Sequence, residues 1–202
     1  MAYIGMRNPK FWPISSHTDG SAITYGNPVL IGPAVSANVT FDIADNPDYG
    51  DDVIIDNDKG INGYNVALET NDIAAEARAS CLGWTPKYDS STPPKITHYE
   101  VNDDEPPKGG LSYIRVKMFR GEKKYEAFFF HKLEFASGGE NASTKQKQIT
   151  WNHPTMNGTG IGAYIDSTGK ARYFDWMEFE TQDAADAWIN SKGGYTPPVN
   201  NG

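Results

Sequence analysis

Four histidines (His17, His98, His131 and His153) and one cysteine, Cys81, are the side chains here best suited to ligate a metal or act as nucleophiles. Their spacing matches none of the patterns such chemistry needs. No H-x-H or HExxH run sets two imidazoles on one face. A single cysteine forms no intrachain disulfide and no cysteine-rich zinc site. Cys81 follows Ile73 and Ala77 at helical spacing, so it reads as a small buried side chain and not a nucleophile. There is no G-x-S-x-G serine elbow and no GxxxxGK(S/T) phosphate loop. Gly158-Thr159-Gly160-Ile161-Gly162 is an incomplete dinucleotide fingerprint that leads into a strand. Asp56-Asn57-Asp58-Lys59-Gly60 opens like a calcium loop. Ile61 then stands where that loop requires glycine, and Ala67 where it requires a chelating glutamate. The expectation is a protein with no catalytic, cofactor or metal residue, and no enzyme.

The elements around these residues read as strands. Tyr113–Phe119 alternates, with Ile114, Val116 and Met118 on one face and Arg115 and Lys117 on the other as a modest surface stripe. Arg120-Gly121-Glu122-Lys123 is the turn into a partner strand, Tyr125–Phe135. Gln146–Trp151 reads as a strand after the Gly-rich loop Ser137–Asn141, and Gly162–Ile165 with Ala171–Met177 as a hairpin turned by Gly169. In the first half, Lys10–Ile14 and Val29–Ile31 pair around a polar loop, Val35–Phe41 alternates, and Ile61–Leu68 follows. Two helices are predicted. One spans Asn71–Leu82, capped by Thr70 or Asn71 and stopped by Gly83. The other spans Gln182–Ser191, capped by Thr181, closed by Gly193, and buried through Ala184, Ala185, Trp188 and Ile189. Eight or nine strands with two short helices predict a mainly β fold, a sandwich or barrel with a flanking helix. Residues 1–194 are expected to form one domain and 195–202 a flexible tail, with 85–109 a Pro-rich surface connection or second protruding loop.

Charge is spread unevenly. Residues 1–114 hold 7 basic and 16 acidic side chains, whereas 115–147 hold 8 basic and 4 acidic. One chain thus owns an acidic part and a basic part, a pattern that permits head-to-tail association between copies. The stretch 42–58 carries seven aspartates and no lysine or arginine. Together with residues to 60 it is read as an over-long arm or loop between two strands. Its apolar centre, Val53, Ile54 and Ile55, calls for burial against a partner. The candidate inter-subunit residues are Asp45, Asp48, Tyr49, Asp51, Asp52, Val53, Ile54, Ile55 and Asp56 of the arm, with Arg115 and Lys117 of the basic part. A sequence pI near 4.9 opposes tight phosphate binding. No stretch reaches the ~20 apolar residues of a membrane span. The opening lacks a basic-then-apolar leader pattern, so folding in a reducing cytosol is expected.

Several segments, taken in order, resemble the major tail proteins of long, flexible-tailed bacteriophages. They are YIGMRNPKFWPI, YGNPVLIGPAVSANVTFD, YGDD, NGYNVALETNDIAAEARASCLGW, LSYIRVKMFRGEKKYEAFFFHKLEF, KQKQITW and ARYFDW, spread over roughly residues 2–190. Ser80-Cys81 departs from the leucine often found at that helix end. The resemblance implies a virion protein of the tail, made in the host cytoplasm. It implies hexameric rings that stack into a tube through which DNA leaves the capsid, without specific DNA binding. Tape-measure, tail-terminator and distal-tail proteins would be its other partners. The alternative reading is a glycan- or receptor-binding β module at a tail tip, with an exposed tryptophan as its stacking plate.

Overall fold

A computed structural model describes residues 2–50, 53–101, 105–136 and 153–198; of the side chains in that set, those of 47–50 and 53–58 lie outside the description. The expected strand Gln146–Trp151 and loop Ser137–Asn141 fall outside the described residues.

The fold is mainly β, as expected. In chain order the elements are β1 (Ala2–Ser16), β2 (Thr24–Tyr25), β3 (Val29–Leu30), β4 (Ala34–Gly50), β5 (Val53–Thr70), α1 (Ala75–Leu82), β6 (Thr85–Tyr88) and β7 (Ile96–Glu100). They continue as β8 (Gly109–Phe119), β9 (Glu122–Ala136), β10 (Thr155–Ile161), β11 (Phe174–Phe179) and α2 (Gln182–Lys192). The main sheet runs β2-β1-β8-β9-β10-β5-β4, with β3 added on β1 and β11 on β9.

β9 organises this sheet. A tight turn, Arg120 (φ 51°) and Gly121 (φ 87°), returns the chain from β8, and its two left-handed residues match the twist of a two-residue hairpin. On its other side β9 is shared. Tyr125–Phe130 pairs with β11, and Leu133–Ala136 pairs with β10.

Alternation along the strands builds two cores. Phe11, Leu111, Tyr113, Phe130, Leu133 and Phe135 face one side, joined by Tyr64, Val66 and Leu68 of β5 and by Ile73, Ala77, Cys81 and Leu82 around α1. The neighbouring positions Trp12, Ile114, Ala127 and Phe129 face the other side and receive Ala185 and Ile189 of α2. Each fully buried aromatic or aliphatic side chain contributes roughly 1.5–3 kcal/mol. Trp12 also satisfies its one donor, since Nε1 donates to Ser112 Oγ at 2.8 Å. The helix is held at its ends as well. Thr181 Oγ1 accepts from the Ala184 amide, and Lys192 Nζ bonds Asp175 at 2.6 Å.

Five local expectations are corrected. The first helix starts at Ala75, not Asn71, and has no side-chain cap. Its expected first turn is tied sideways, with the Asn71 amide donating to Pro33 O and the Ala74 amide to Ile31 O. Residues 85–109 are not a plain connection: β6 and β7 pair as a separate hairpin. The 162–177 hairpin shrinks to one bridge, Ala163–Arg172, because β11 pairs with β9 instead. On α2, Ala184 is exposed, and Asn190 joins Ala185 and Ile189 in the buried set. Tyr195, assigned to the tail, packs edge-on against Trp12 with ring centroids 6.3 Å apart.

Candidate assembly surface

The acidic segment is a ribbon, not a loop. β4 and β5 pair antiparallel from Ala34–Thr70 to Gly50–Val53, with register shifts at Ala34/Ser36, Asp42/Ile43 and Asp48/Tyr49. The residues at the base fix it to the body. Ala37, Val39 and Phe41 of β4 lie against the first core, and Tyr64 of β5 is buried within it. Phe41 stacks on Phe174 at 5.5 Å, Tyr64 donates to the Lys132 carbonyl at 3.1 Å, and Tyr173 donates to the Ile61 carbonyl.

Beyond Phe41 the pattern changes. Asp42, Ile43, Asp45, Asn46, Lys59, Gly60, Ile61 and Asn62 are exposed, and Ile43 and Ile61 form a cross-strand apolar pair open to solvent. Nine residues of β4, from Asp42 to Gly50, make a ribbon roughly 30 Å long at ~3.3 Å per residue. Asp45 bridges to Lys59 at 3.4 Å, an exposed pair of little energetic weight. The side chains of the other arm candidates, Asp48, Tyr49, Val53, Ile54, Ile55 and Asp56, together with Asp51 and Asp52, lie outside the described set. The calcium-like run 56–60 sits on the β5 backbone as extended strand.

The basic partners expected from sequence require correction. Arg115 and Lys117 are not a free surface stripe. Lys117 is 7% exposed and bonds both Glu126, at 2.7 Å, and Glu178. Arg115 donates through Nε to the same Glu126 at 2.8 Å and lies over the rings of Tyr3 and Phe128. Cross-strand register explains the grouping, because Glu126 sits opposite Arg115 on β8 and opposite Glu178 on β11. Burial raises the Glu126 carboxyl pKa, but the bonds from Lys117 and Arg115 outweigh it and hold the group below its ordinary value. Lys124 is neutralised similarly by Glu180 and Glu122.

The two cations of the β8–β9 turn keep no carboxylate partner among the described residues, and their sequence reads only as a turn. Arg120 and Lys123 are exposed at the β8–β9 turn; Arg120 lies over the ring of Phe119, which is 39% exposed and stands opposite the exposed Glu122, while Lys123 stands opposite Met118. Tyr3 and Ile4, at the adjacent start of β1, are likewise exposed.

Other titratable groups serve packing. His131, whose Nε2 lies 3.5 Å away, and Lys192, at 2.6 Å, hold the Asp175 carboxyl well below the usual range against the burial that raises it. Cys81 is fully buried, and burial pushes its thiol pKa up. Among the described residues no group of three or more His, Cys, Asp or Glu is placed to hold a metal, and no helix is long and apolar enough to cross a membrane. Trp176 is the most exposed tryptophan described; it stacks on Phe128 at 6.3 Å and leaves much of its surface open. No family model matches the chain, and no curated protein matches it either.

Proposed function

We propose that this chain is a structural subunit that assembles with copies of itself into stacked rings forming a phage tail tube, a conduit for DNA. The observation that carries the reading is the β4–β5 ribbon. It leaves the core after Phe41 and Tyr64, continues for roughly 30 Å, and exposes an apolar Ile43–Ile61 pair among acidic residues. A lone subunit gains nothing from ordering and exposing such a ribbon; a partner surface gives it a role. The motif order, which resembles the tail-tube family, and the mainly β core agree with this reading. The acidic overall balance suits a passage that must not hold a polyanion.

Sedimentation across a concentration series tests it. The full chain is expected to form large particles as concentration rises. A variant with residues 44–60 replaced by a two-residue Asn-Gly turn is expected to stay monomeric with an unchanged β-rich circular dichroism spectrum. Assembly of the shortened variant at the same concentration contradicts the role given to the ribbon.

Trp176 favours a second reading, a glycan-binding module, because an open indole on a polar sheet edge is the usual sugar-stacking plate. Glycan-array binding that disappears in Trp176→Ala would select it over the first.

A further inference from the structure

Resting on the glycan-binding reading above, we infer that Trp176, Glu178 and Arg115 form one site for a neutral pyranose, with Trp176 as its stacking plate. Cross-strand register builds the site. Tyr3 on β1, Arg115 on β8, Phe128 on β9 and Trp176 on β11 lie on one face of four neighbouring strands. Their planar groups follow one another. The Arg115 guanidinium lies 4.1 Å from the Tyr3 ring centre and 4.8 Å from that of Phe128, whose ring stacks on Trp176 with 19° between the planes. β11 pairs with β9 alone, so no described strand stands on the outer side of Trp176. The indole is 56% exposed, and its open face offers the C–H surface of a sugar ring a flat apolar partner.

Unused hydrogen-bonding groups stand beside this plate. Glu178 is two positions on from Trp176 on the same face of β11, roughly 7 Å along the strand. Its Oε2 pairs with Lys117, which leaves Oε1 without a hydrogen-bond partner among the described residues. Arg115 uses Nε and Nη2 on Glu126, which leaves Nη1 without one. Both side chains are 38% exposed, so both reach solvent. Glu126 and Lys117 link the two, holding an acceptor and a donor in place on one surface. Two sugar hydroxyls match that pair, one donating to the carboxylate and the other accepting from the guanidinium. Charge sets the ligand class. Arg115 and Lys117 balance Glu126 and Glu178, so this network carries no surplus charge to favour an ion. A cation is opposed by Arg115 and an anion by Glu178, whereas a neutral ring meets neither penalty.

Calorimetric titration of the full chain with maltohexaose, cellohexaose and chitohexaose, beside a glycan array that includes acidic sugars, tests the inference. At least one neutral oligosaccharide is expected to bind and to shift the tryptophan emission. Trp176→Ala and Glu178→Gln should each weaken that binding by at least about tenfold, and Trp176→Phe should recover part of the first loss. Should Trp176→Ala impair folding, Glu178→Gln at its exposed position carries the test, with an unchanged circular dichroism spectrum expected. Binding that needs Trp176 but keeps wild-type affinity in Glu178→Gln overturns the site and leaves the glycan reading standing. Binding confined to acidic glycans overturns the neutral class and likewise leaves that reading standing. Failure of every glycan to bind removes the inference together with the reading beneath it. Assembly through the ribbon uses none of these residues and is decided separately.

Discussion

Glu126 accepts from two cations at once while almost wholly excluded from water. Such a carboxylate cannot be removed cheaply, because Lys117 would then stay buried with only Glu178 to balance it. Glu126→Gln is expected to cost about 3 kcal/mol of stability, read from chemical denaturation. The pH dependence follows from the direction of the shift. Glu126 and Asp175 both have folded pKa values below their ordinary ones. Their contribution is therefore full above the ordinary carboxylate range and is lost as pH falls through the folded values. Thermal melting should fall on acidification from about pH 7 to about pH 3, and more shallowly in Glu126→Gln. Equal slopes would contradict this assignment. The alternation of Arg115 and Lys117 was visible in the sequence; the second partner of Lys117 was not, because Glu178 comes from β11, more than sixty positions away along the chain.

At the scale of elements, β10 shows how a core strand hides from a hydrophobic pattern. Its inward positions are Met156, Gly158 and Gly160, so only one of the three is a recognisable apolar residue. The glycines are there for space. A Cβ on Gly160 would fall inside the Tyr64 ring, and one on Gly158 would press on Leu133 and Phe135. Gly160→Ala is expected to cost about 1–3 kcal/mol by forcing β10 away from β5. Gly5→Ala, with no atom within 4 Å of its added carbon, should change stability by less than about 0.5 kcal/mol. Equal effects of the two substitutions in parallel melts would refute the packing argument. Other elements were legible from local signals. Thr181 and Gly193 bounded α2, and Gly83 (φ 70°) ended α1. The start of α1 was not, since backbone bonds to residues 31 and 33 outcompeted a cap that only local sequence suggested. The acidic segment was seen as distinctive but read as a loop, because its aspartates and Pro47 hide a strand pairing that backbone register maintains.

The whole molecule combines a core closed on both faces of β8 and β9 with a ribbon that core does not cover. A protruding ribbon and the body of a second copy are unlike surfaces, so the contact proposed for assembly is heterologous. Copies related by a repeated operation can then join without limit or close into rings. Electron microscopy of the purified full chain at high concentration tests this most directly. Rings of uniform diameter stacked into hollow tubes are the result the account predicts. Particles that remain single subunits at every concentration would contradict it.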